Sequence, residues 1–203
     1  MTEHAPEMID LVFDLEGGIL HRGYPFALWG ALVGHFSALA DEPLAGILPL
    51  RLAESSEGML LPKRAKLALR LPAARAEQAA AALQGRRLEV NGSPLQLGAA
   101  KKRPIQPSAT VHAQIVVGAG DEVLFMEHIK IQLEELQIAG HLICGLRSTL
   151  DDGRQSIHGF SLVIHDLKPE ASMQLQYAGL GDHRRYGCGI FVPYKAITGL
   201  EFN

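Results

Sequence analysis

Apolar and polar positions follow one another along this chain in a pattern that predicts the same set of elements twice. Stretches of period two indicate strands, and apolar residues at helical spacing indicate helices. In the first half the predicted elements are a strand over 8–15, a helix over 25–40, strands over 45–52 and 66–71, a helix over 72–85 and a hairpin over 86–97. Pro25 and Pro72 suit the first turn of a helix, and Asn91-Gly92 suits a hairpin turn. This order is that of a ferredoxin-like domain.

The second half repeats the order. Its predicted elements are a strand over 110–118, a helix over 121–140, a hairpin with arms at 141–151 and 153–167, a helix over 168–180 and a strand over 189–197. The segment between the halves is rich in Gly, Pro, Lys and Arg, as an interdomain linker is. We therefore predict an α+β protein made of tandem ferredoxin-like (RRM-like, β-α-β-β-α-β) domains. The predicted units are an N-terminal domain over 1–98, a basic linker over 99–109 and a C-terminal domain over 110–203.

Composition narrows the class of protein. The chain has 203 residues, of which 47% are hydrophobic and 20% charged, as in ordinary globular proteins. No apolar run approaches the roughly 20 residues that span a bilayer, so no membrane partner is predicted. The polar start MTEHAPEMID resembles neither a signal nor a transit peptide, which predicts a cytoplasmic location. Cys144 and Cys188 lack the spacing of a metal site, and we predict no metal and no cofactor.

Charge is divided unevenly along the chain, although the net charge is −3. Residues 1–50 contain seven acids and one base, whereas residues 51–103 contain eleven bases and four acids. A local excess of positive charge can attract a phosphate backbone even when the total charge is negative. The basic segment therefore indicates a polyanion-binding face. The alternative is a set of solvated positions in strands and turns.

A glycine-rich segment, GLGDHRRYGCG over residues 179–189, precedes the last predicted strand. Glycines allow positive φ, and backbone N–H groups exposed between them can approach a phosphate. Arg184 and Arg185 add forked donors, while His183 and Tyr186 can stack on a base. The segment predicts an RNA contact. A loop that merely turns the chain before the final strand is the alternative.

The sequence GLGDHRRYGCGIFVP resembles the C-terminal signature of the Cas6 family, the CRISPR repeat-RNA endoribonucleases of the RAMP superfamily. The chain is similar in order to the short variant of compact type I systems, through LVFDLEG, PFALWGAL, LALRLPA and SLVIHDLKPEASMQLQ. The resemblance implies two ferredoxin-like domains and metal-independent cleavage of repeat RNA. In that reaction the 2′-OH attacks the adjacent phosphate and leaves a 2′,3′-cyclic phosphate and a 5′-OH. The implied partners are a stem-loop repeat RNA, the processed guide RNA and the backbone subunits of an effector complex.

The resemblance also implies a catalytic histidine on or just beyond the first helix. His35 is the first candidate for general acid or base, and His21 and Tyr24 follow as a partner acid or as a group that orients the 2′-OH. His35 has apolar helix neighbours, so a structural core histidine is the alternative. Two places where relatives carry histidine hold Tyr24 and Leu48 here, which leaves open a member that binds RNA but cuts it slowly or not at all.

The residues predicted to contact RNA are basic, aromatic or glycine residues of the segments described above and one arginine of the second domain: Lys63, Arg64, Lys66, Lys101, Lys102, Arg103, Arg147, Gly181, His183, Arg184, Arg185, Tyr186, Gly187 and Gly189. Three functions remain open at this stage. They are a repeat-RNA endonuclease, a non-catalytic subunit that caps the 3′ stem of the guide RNA, and a ferredoxin-like assembly or small-ligand protein with an incidental basic patch.

Overall fold

The computed structural model describes residues 5–118 and 120–194. The elements of its first part are β1 (Met8–Gly17), β2 (Ile19–Leu20), α1 (Tyr24–His35), β3 (Gly46–Ile47), β4 (Ala53–Ser55), β5 (Gly58–Leu60), β6 (Lys66–Pro72), α2 (Ala76–Leu83), β7 (Arg87–Val90) and β8 (Ser93–Pro104). Five of the strands form an antiparallel sheet in the order β3-β6-β1-β8-β7. Without the added hairpin strand β7, this is the strand order of a ferredoxin-like domain.

The alternating pattern of β1 sets the two faces of this sheet. Ile9, Leu11, Phe13 and Leu15 are buried in the hydrophobic core that also contains Leu28 and Leu32 of α1. Because successive strand residues point to opposite faces, Asp10, Val12 and Asp14 lie on the other face. That second face meets the C-terminal domain.

The polar turn predicted between the second and third strands contains structure of its own. β4 and β5 form a hairpin that pairs with β2 in a separate three-stranded sheet. The strand predicted over 45–52 is correspondingly short, since only Gly46–Ile47 pair with β6. The hairpin places Met59 and the neighbouring Leu52 beside Tyr24 at the start of α1.

The elements of the second part are β9 (Val111–Val117), α3 (Glu122–Glu135), β10 (His141–Asp151), β11 (Ser156–His165), α4 (Pro169–Ala178) and β12 (Val192–Pro193). Their antiparallel sheet has the order β10-β11-β9-β12, which repeats the order of the first sheet. The core under it contains Phe125 of α3, Leu175 of α4 and Leu162 of β11. The prediction of tandem ferredoxin-like domains is confirmed.

Several boundaries differ from those predicted. The helix predicted over 25–40 ends at His35 and is followed by a 3₁₀ helix over Ser37–Asp41, and the helix predicted over 72–85 spans Ala76–Leu83. The segment predicted as linker is strand up to Pro104, because β8 continues along β1 with Lys101, Lys102 and Arg103 paired opposite Val12, Leu11 and Asp10. α3 ends at Glu135, and Gln137 takes a left-handed φ of 57° soon after it. The closing strand is Val192–Pro193, while residues 195–197 of its predicted range lie outside the described residues.

A buried ion-pair network joins the two domains. The guanidinium of Arg70 on β6 donates to both carboxylate oxygens of Asp10, at 2.7 and 3.1 Å, and to the carbonyl oxygens of Gln176 and Phe191 in the C-terminal domain, at 3.2 and 2.6 Å. Arg103 donates to Asp10 at 3.0 Å. Burial by itself raises the pKa of Asp10, but the hydrogen bonds and charges of Arg70 and Arg103 outweigh it and hold the pKa below 3.8.

No helix within residues 5–118 and 120–194 has the length and apolar character needed to cross a membrane.

Candidate nucleic-acid interface and active site

The glycine-rich loop, residues 179–189, lies at the junction between the two domains. Gly179, Gly181, Gly187 and Gly189 all have positive φ, between 66° and 94°. A Cβ at Gly189 would overlap the carbonyl oxygen of Leu180, and one at Gly187 would lie 2.9 Å from the carbonyl oxygen of Ile47 in the N-terminal domain. The glycines are therefore required by close backbone packing.

The N–H groups of this loop are used within the protein. Gly181 donates to Gln132 Oε1 at 3.0 Å, Gly187 to the carbonyl oxygen of Arg184 at 2.9 Å and Gly189 to that of Ile115 at 2.8 Å. The N–H groups of Gly181, Gly187 and Gly189 are therefore not free for a phosphate, and contact of these three residues with RNA stays a prediction. These hydrogen bonds fix the shape of the loop, and its packing against Ile47 joins it to the N-terminal domain.

Arg184 is also placed differently from its prediction. Its side chain is buried at 7% exposure, and its Nε donates to the carbonyl oxygen of Leu44 at 2.6 Å. Burial, together with the nearby charge of Arg70, lowers the pKa of Arg184 to about 9. Arg184 is therefore a structural contact between the domains and is not available to a phosphate.

The exposed part of the loop is a small aromatic and cationic surface formed by His183, Arg185 and Tyr186. The guanidinium of Arg185 lies 5.1 Å from the centre of the Tyr186 ring, and the His183 ring is stacked on that of Tyr186 at 6.1 Å. Phe26 of α1 meets the Tyr186 ring edge-on at 4.6 Å and holds it in place. A guanidinium beside stacked rings suits contact with a phosphate and an unpaired base.

Six of the eleven bases of residues 51–103 form ion pairs with carboxylates in the fold. The pairs are Lys66 with Asp14, Arg70 and Arg103 with Asp10, Arg75 with Glu42, Arg87 with Glu89 and Lys102 with Glu77. Three of these acids belong to the acidic first quarter of the chain. The division of charge seen in the sequence is thus in large part a set of ion pairs between strands.

A smaller cationic group remains. Lys63, Arg64 and Lys101 are exposed and have no carboxylate within 4.0 Å among the described residues. Lys101 lies on the junction face of the first sheet, in the row next to Lys66, since both pair along β1. We call Lys63, Arg64 and Lys101, together with Lys66 that pairs with Asp14 beside them, the cationic edge.

The other predicted basic contacts lie elsewhere. Lys102 points to the opposite face of β8 from Lys101 and reaches Glu77 of α2. Arg103 keeps 55% of its side chain exposed beside Asp10. Arg147 projects from β10 toward Gly120 at the start of α3. The predicted RNA contacts therefore do not form one surface.

His35 is exposed at the last residue of α1, so the alternative of a buried core histidine does not hold. Phe26, which contacts Tyr186 of the glycine-rich loop, is nine residues earlier, and nine residues of helix advance about 14 Å. His35 is therefore at the opposite end of α1 from that aromatic contact.

His21 lies at the other end of α1. It is exposed, and its Nδ1 accepts the N–H of Gly23 at 3.0 Å, so the proton of the neutral ring is on Nε2. A Cβ on Gly23 would lie 2.6 Å from the carbonyl oxygen of Asp151, so the turn between β10 and β11 touches the chain two residues beyond His21. The length of α1, about 17 Å, separates His21 from His35, and the two histidines cannot act on the same phosphate.

Tyr24 lines a cavity of about 300 Å³ at the domain junction. Its hydroxyl oxygen accepts the N–H of Leu50 at 2.9 Å, and burial raises its pKa to about 12. Gln114 of β9, Leu150 of β10 and Tyr186 of the loop line the same cavity. Tyr24 therefore keeps its proton and can act only as a donor or as part of the wall.

Two residues at this junction, Arg70 and Gln114, were not predicted from the sequence. In the sequence Arg70 is one of many basic residues in strands, and Gln114 is an ordinary polar residue. The sequence pattern around Arg70 could have indicated its role. Arg70 shares a strand face with Ala68 and is flanked by the buried Leu69 and Leu71, and a charged residue in such a buried strand is expected only with a partner of opposite charge. Nothing in the spacing of Gln114 indicates its place at the cavity.

Two ferredoxin-like domains in tandem, fastened by a glycine-rich loop at their junction, define a class of fold that solved RAMP proteins share. The fold is similar to that of a solved "RAMP protein binding different RNA substrates", with a TM-score of 0.71, 11% identity and coverage of 92% of this chain and 100% of the other. It is also similar to the product of a Cas6-related gene from Pyrococcus furiosus, with a TM-score of 0.68, 11% identity and coverage of 91% and 97%.

Sequence comparison gives the family. The family profile described as Cas6 Crispr matches residues 9–196. The CRISPR-associated endonuclease Cas6 of Myxococcus xanthus (strain DK1622) is 30% identical over 187 residues, which cover 91% of this chain and 81% of that protein. The chain belongs to the Cas6 family, as its glycine-rich signature indicated.

Proposed function

We propose that this protein binds CRISPR repeat RNA at the domain junction and cleaves it without a metal ion. The 2′-oxygen attacks the adjacent phosphorus, a base takes its proton, the bond from phosphorus to the 5′-oxygen breaks, and an acid protonates that oxygen. The products are a 2′,3′-cyclic phosphate and a 5′-OH. Membership of the Cas6 family and the endonuclease name of the Myxococcus relative support this reaction.

The position of His21 carries the assignment of the site. It is exposed, two residues before Gly23, which approaches Asp151 of the C-terminal domain, and three residues before Tyr24, which lines the cavity. In our proposal protonated His21, whose Nδ1 then no longer accepts from Gly23, donates its Nε2 proton to the leaving 5′-oxygen, and Tyr24 is a positioning residue that holds Leu50 and the cavity wall. His35, the first candidate from sequence, lies at the opposite end of α1 from the Phe26–Tyr186 contact and is the weaker candidate.

The RNA-binding surface that we propose consists of two exposed groups: the loop side chains His183, Arg185 and Tyr186, and the cationic edge. Permanent charge at Arg185 and Arg64 suits phosphates, and the paired rings suit an unstacked base. We further propose that the protein stays on the processed guide RNA and contacts backbone subunits of an effector complex.

The test is cleavage of a cognate repeat RNA in EDTA. The wild type should yield a cyclic-phosphate product, and a 2′-deoxy nucleotide at the cut site should block the reaction. His21→Ala should lower the single-turnover rate by about 10²–10⁴-fold with RNA affinity unchanged. His35→Ala, an exposed histidine on the same helix, is the matched control and should cut normally.

Other results would redirect the assignment. Loss of activity in His35→Ala with normal cutting by His21→Ala would move the catalytic role to His35.

A binding subunit without catalysis is the second candidate. It is favoured by Leu48, which occupies a place where relatives carry histidine and packs against Ala68 and Ile190. Tight, salt-dependent binding of intact RNA would establish that candidate, and absence of binding at physiological salt would contradict both.

A further inference from the structure

Three side chains with metal-ligand atoms meet at one end of the C-terminal sheet. The Nδ1 atoms of His141 and His165 lie 3.0 and 2.9 Å from Oδ2 of Asp166. The two imidazole rings are stacked, with their centres 5.2 Å apart and an interplanar angle of 21°. One ligand atom from each of the three residues lies within 4.8 Å of the other two.

The backbone fixes this arrangement. His141 and His165 are directly opposite each other in the antiparallel pairing of β10 with β11, so their side chains share one face. Asp166 follows with a left-handed φ of 60°, which ends the strand at that point. The next residue, Leu167, donates its N–H to the carbonyl oxygen of Ala109 at 3.0 Å and anchors the segment. The cluster is therefore held by strand pairing and does not depend on long flexible side chains.

We propose that His141, His165 and Asp166 bind a divalent transition-metal ion of the zinc class. Two imidazole nitrogens and one carboxylate oxygen are a known ligand set for such ions, and imidazole favours them over Mg²⁺ and Ca²⁺. In a tetrahedral site with bonds of about 2.0–2.1 Å, donor atoms lie about 3.3 Å apart. The two histidine–aspartate separations, 3.0 and 2.9 Å, lie close to that value, and the histidine donor atoms lie within 4.8 Å of each other.

The site is remote from the proposed cleavage site. It lies at the first residue of β10, whereas the last residue, Asp151, is in contact with Gly23 beside His21. A strand of this length extends over about 33 Å. The ion therefore does not take part in cleavage. It braces the free end of the hairpin and the turn that leads into α4, and its three protein ligands leave one coordination position open.

The test measures metal binding to the full-length, tag-free protein and cleavage separately. Isothermal titration with ZnCl₂ should show one saturable site, CoCl₂ should give visible absorption of a low-symmetry site, and MgCl₂ should show no binding there. His165→Ala should weaken the zinc affinity by roughly tenfold or more, because even indirect partners of metal ligands cost that much.

His158→Ala is the matched control. His158 is an exposed histidine on β11 whose Nδ1 contacts Thr149 Oγ1 at 3.0 Å, and its removal should leave the affinity unchanged. Asp166→Asn, which suits the same left-handed φ, should weaken binding without unfolding the turn. Zinc should raise the melting temperature of the wild type but not that of His141→Ala/His165→Ala.

Two results would overturn the proposal. One is the absence of a saturable zinc site in the wild type, and the other is an affinity that survives in the His141→Ala/His165→Ala variant. RNA cleavage in EDTA should be the same for wild type and this double variant, so failure of the metal site and failure of the proposed nuclease function are distinguishable.

Discussion

At the scale of single residues, Arg184 and Arg185 have opposite environments although they are neighbours in the chain. Arg184 is buried against the carbonyl oxygens of Leu44 and Gln176, while Arg185 is exposed over the ring of Tyr186. The backbone produces this division, because residues 184–186 form one turn of 3₁₀ helix between left-handed His183 and Gly187. One guanidinium therefore stabilises the fold and the other is free for a ligand.

Matched substitutions should separate the two roles. Arg185→Gln should leave the melting temperature unchanged, weaken RNA binding and reduce the slope of log affinity against log salt by about 1, since one phosphate contact is lost. Arg184→Gln should lower the free energy of unfolding by about 1–3 kcal/mol, because buried carbonyl oxygens lose their donor. Urea unfolding and salt-dependent fluorescence anisotropy measure these effects. An unchanged salt slope in Arg185→Gln would exclude it from the RNA interface.

Sequence reasoning was strongest where a residue's role depends on its own neighbours. His183 and Tyr186 were expected at a surface and are partly exposed there. The division between Arg184 and Arg185 could not be predicted, because it depends on carbonyl groups of Leu44 and Gln176 that come together only in the tertiary fold.

At the scale of elements, periodicity predicted the helices and long strands because each buries one face. β1 and β6 show the alternation that places their odd-numbered residues in the core. The β4–β5 hairpin was missed, since its short strands are exposed and carry no apolar alternation. The register between paired strands could also not be predicted from the sequence. It decides that Lys101 and Lys102 lie on opposite faces, and it brings His141 beside His165.

Glycines in two elements should respond in opposite ways to alanine. Gly189 has a φ of 66° and no space for a Cβ, so Gly189→Ala should lower the free energy of unfolding by more than about 2 kcal/mol. Gly30 is exposed on α1 with no heavy atom within 4 Å of the added Cβ, so Gly30→Ala should raise it by about 0.5–1 kcal/mol. Equilibrium urea unfolding gives both values. Equal effects at the two positions would contradict the packing described for the loop.

At the scale of the whole molecule, the Asp10–Arg70 network makes stability depend on pH. The pKa of Asp10 in the folded protein is below 3.8, so its contribution is complete above that pH and is lost as the pH falls through the folded value.

Asp10→Asn should lower the free energy of unfolding at pH 7 by about 3–5 kcal/mol, because the buried Arg70 loses its counter-charge. The difference between wild type and variant should stay constant from pH 7 to 5 and shrink below pH 3.8. Asp14→Asn, at the exposed pair with Lys66, is the control and should stay close to the wild type at pH 7. A difference that is the same at pH 3 and pH 7 would contradict the lowered pKa.

The backbone hydrogen bonds of the glycine-rich loop determine which of its positions can change in sequence without loss of the fold. The N–H groups of Gly181, Gly187 and Gly189 are hydrogen-bonded to Gln132, Arg184 and Ile115, and a side chain at Gly187 would collide with Ile47 of the N-terminal domain. Asp182 and Arg185 are exposed between them, and their side chains do not hold the loop in place. A library randomised at residues 182 and 185 should therefore retain the fold while it samples new RNA preferences. The glycine-rich loop therefore combines positions that the fold requires with two positions at which substitutions can change the RNA that the protein binds.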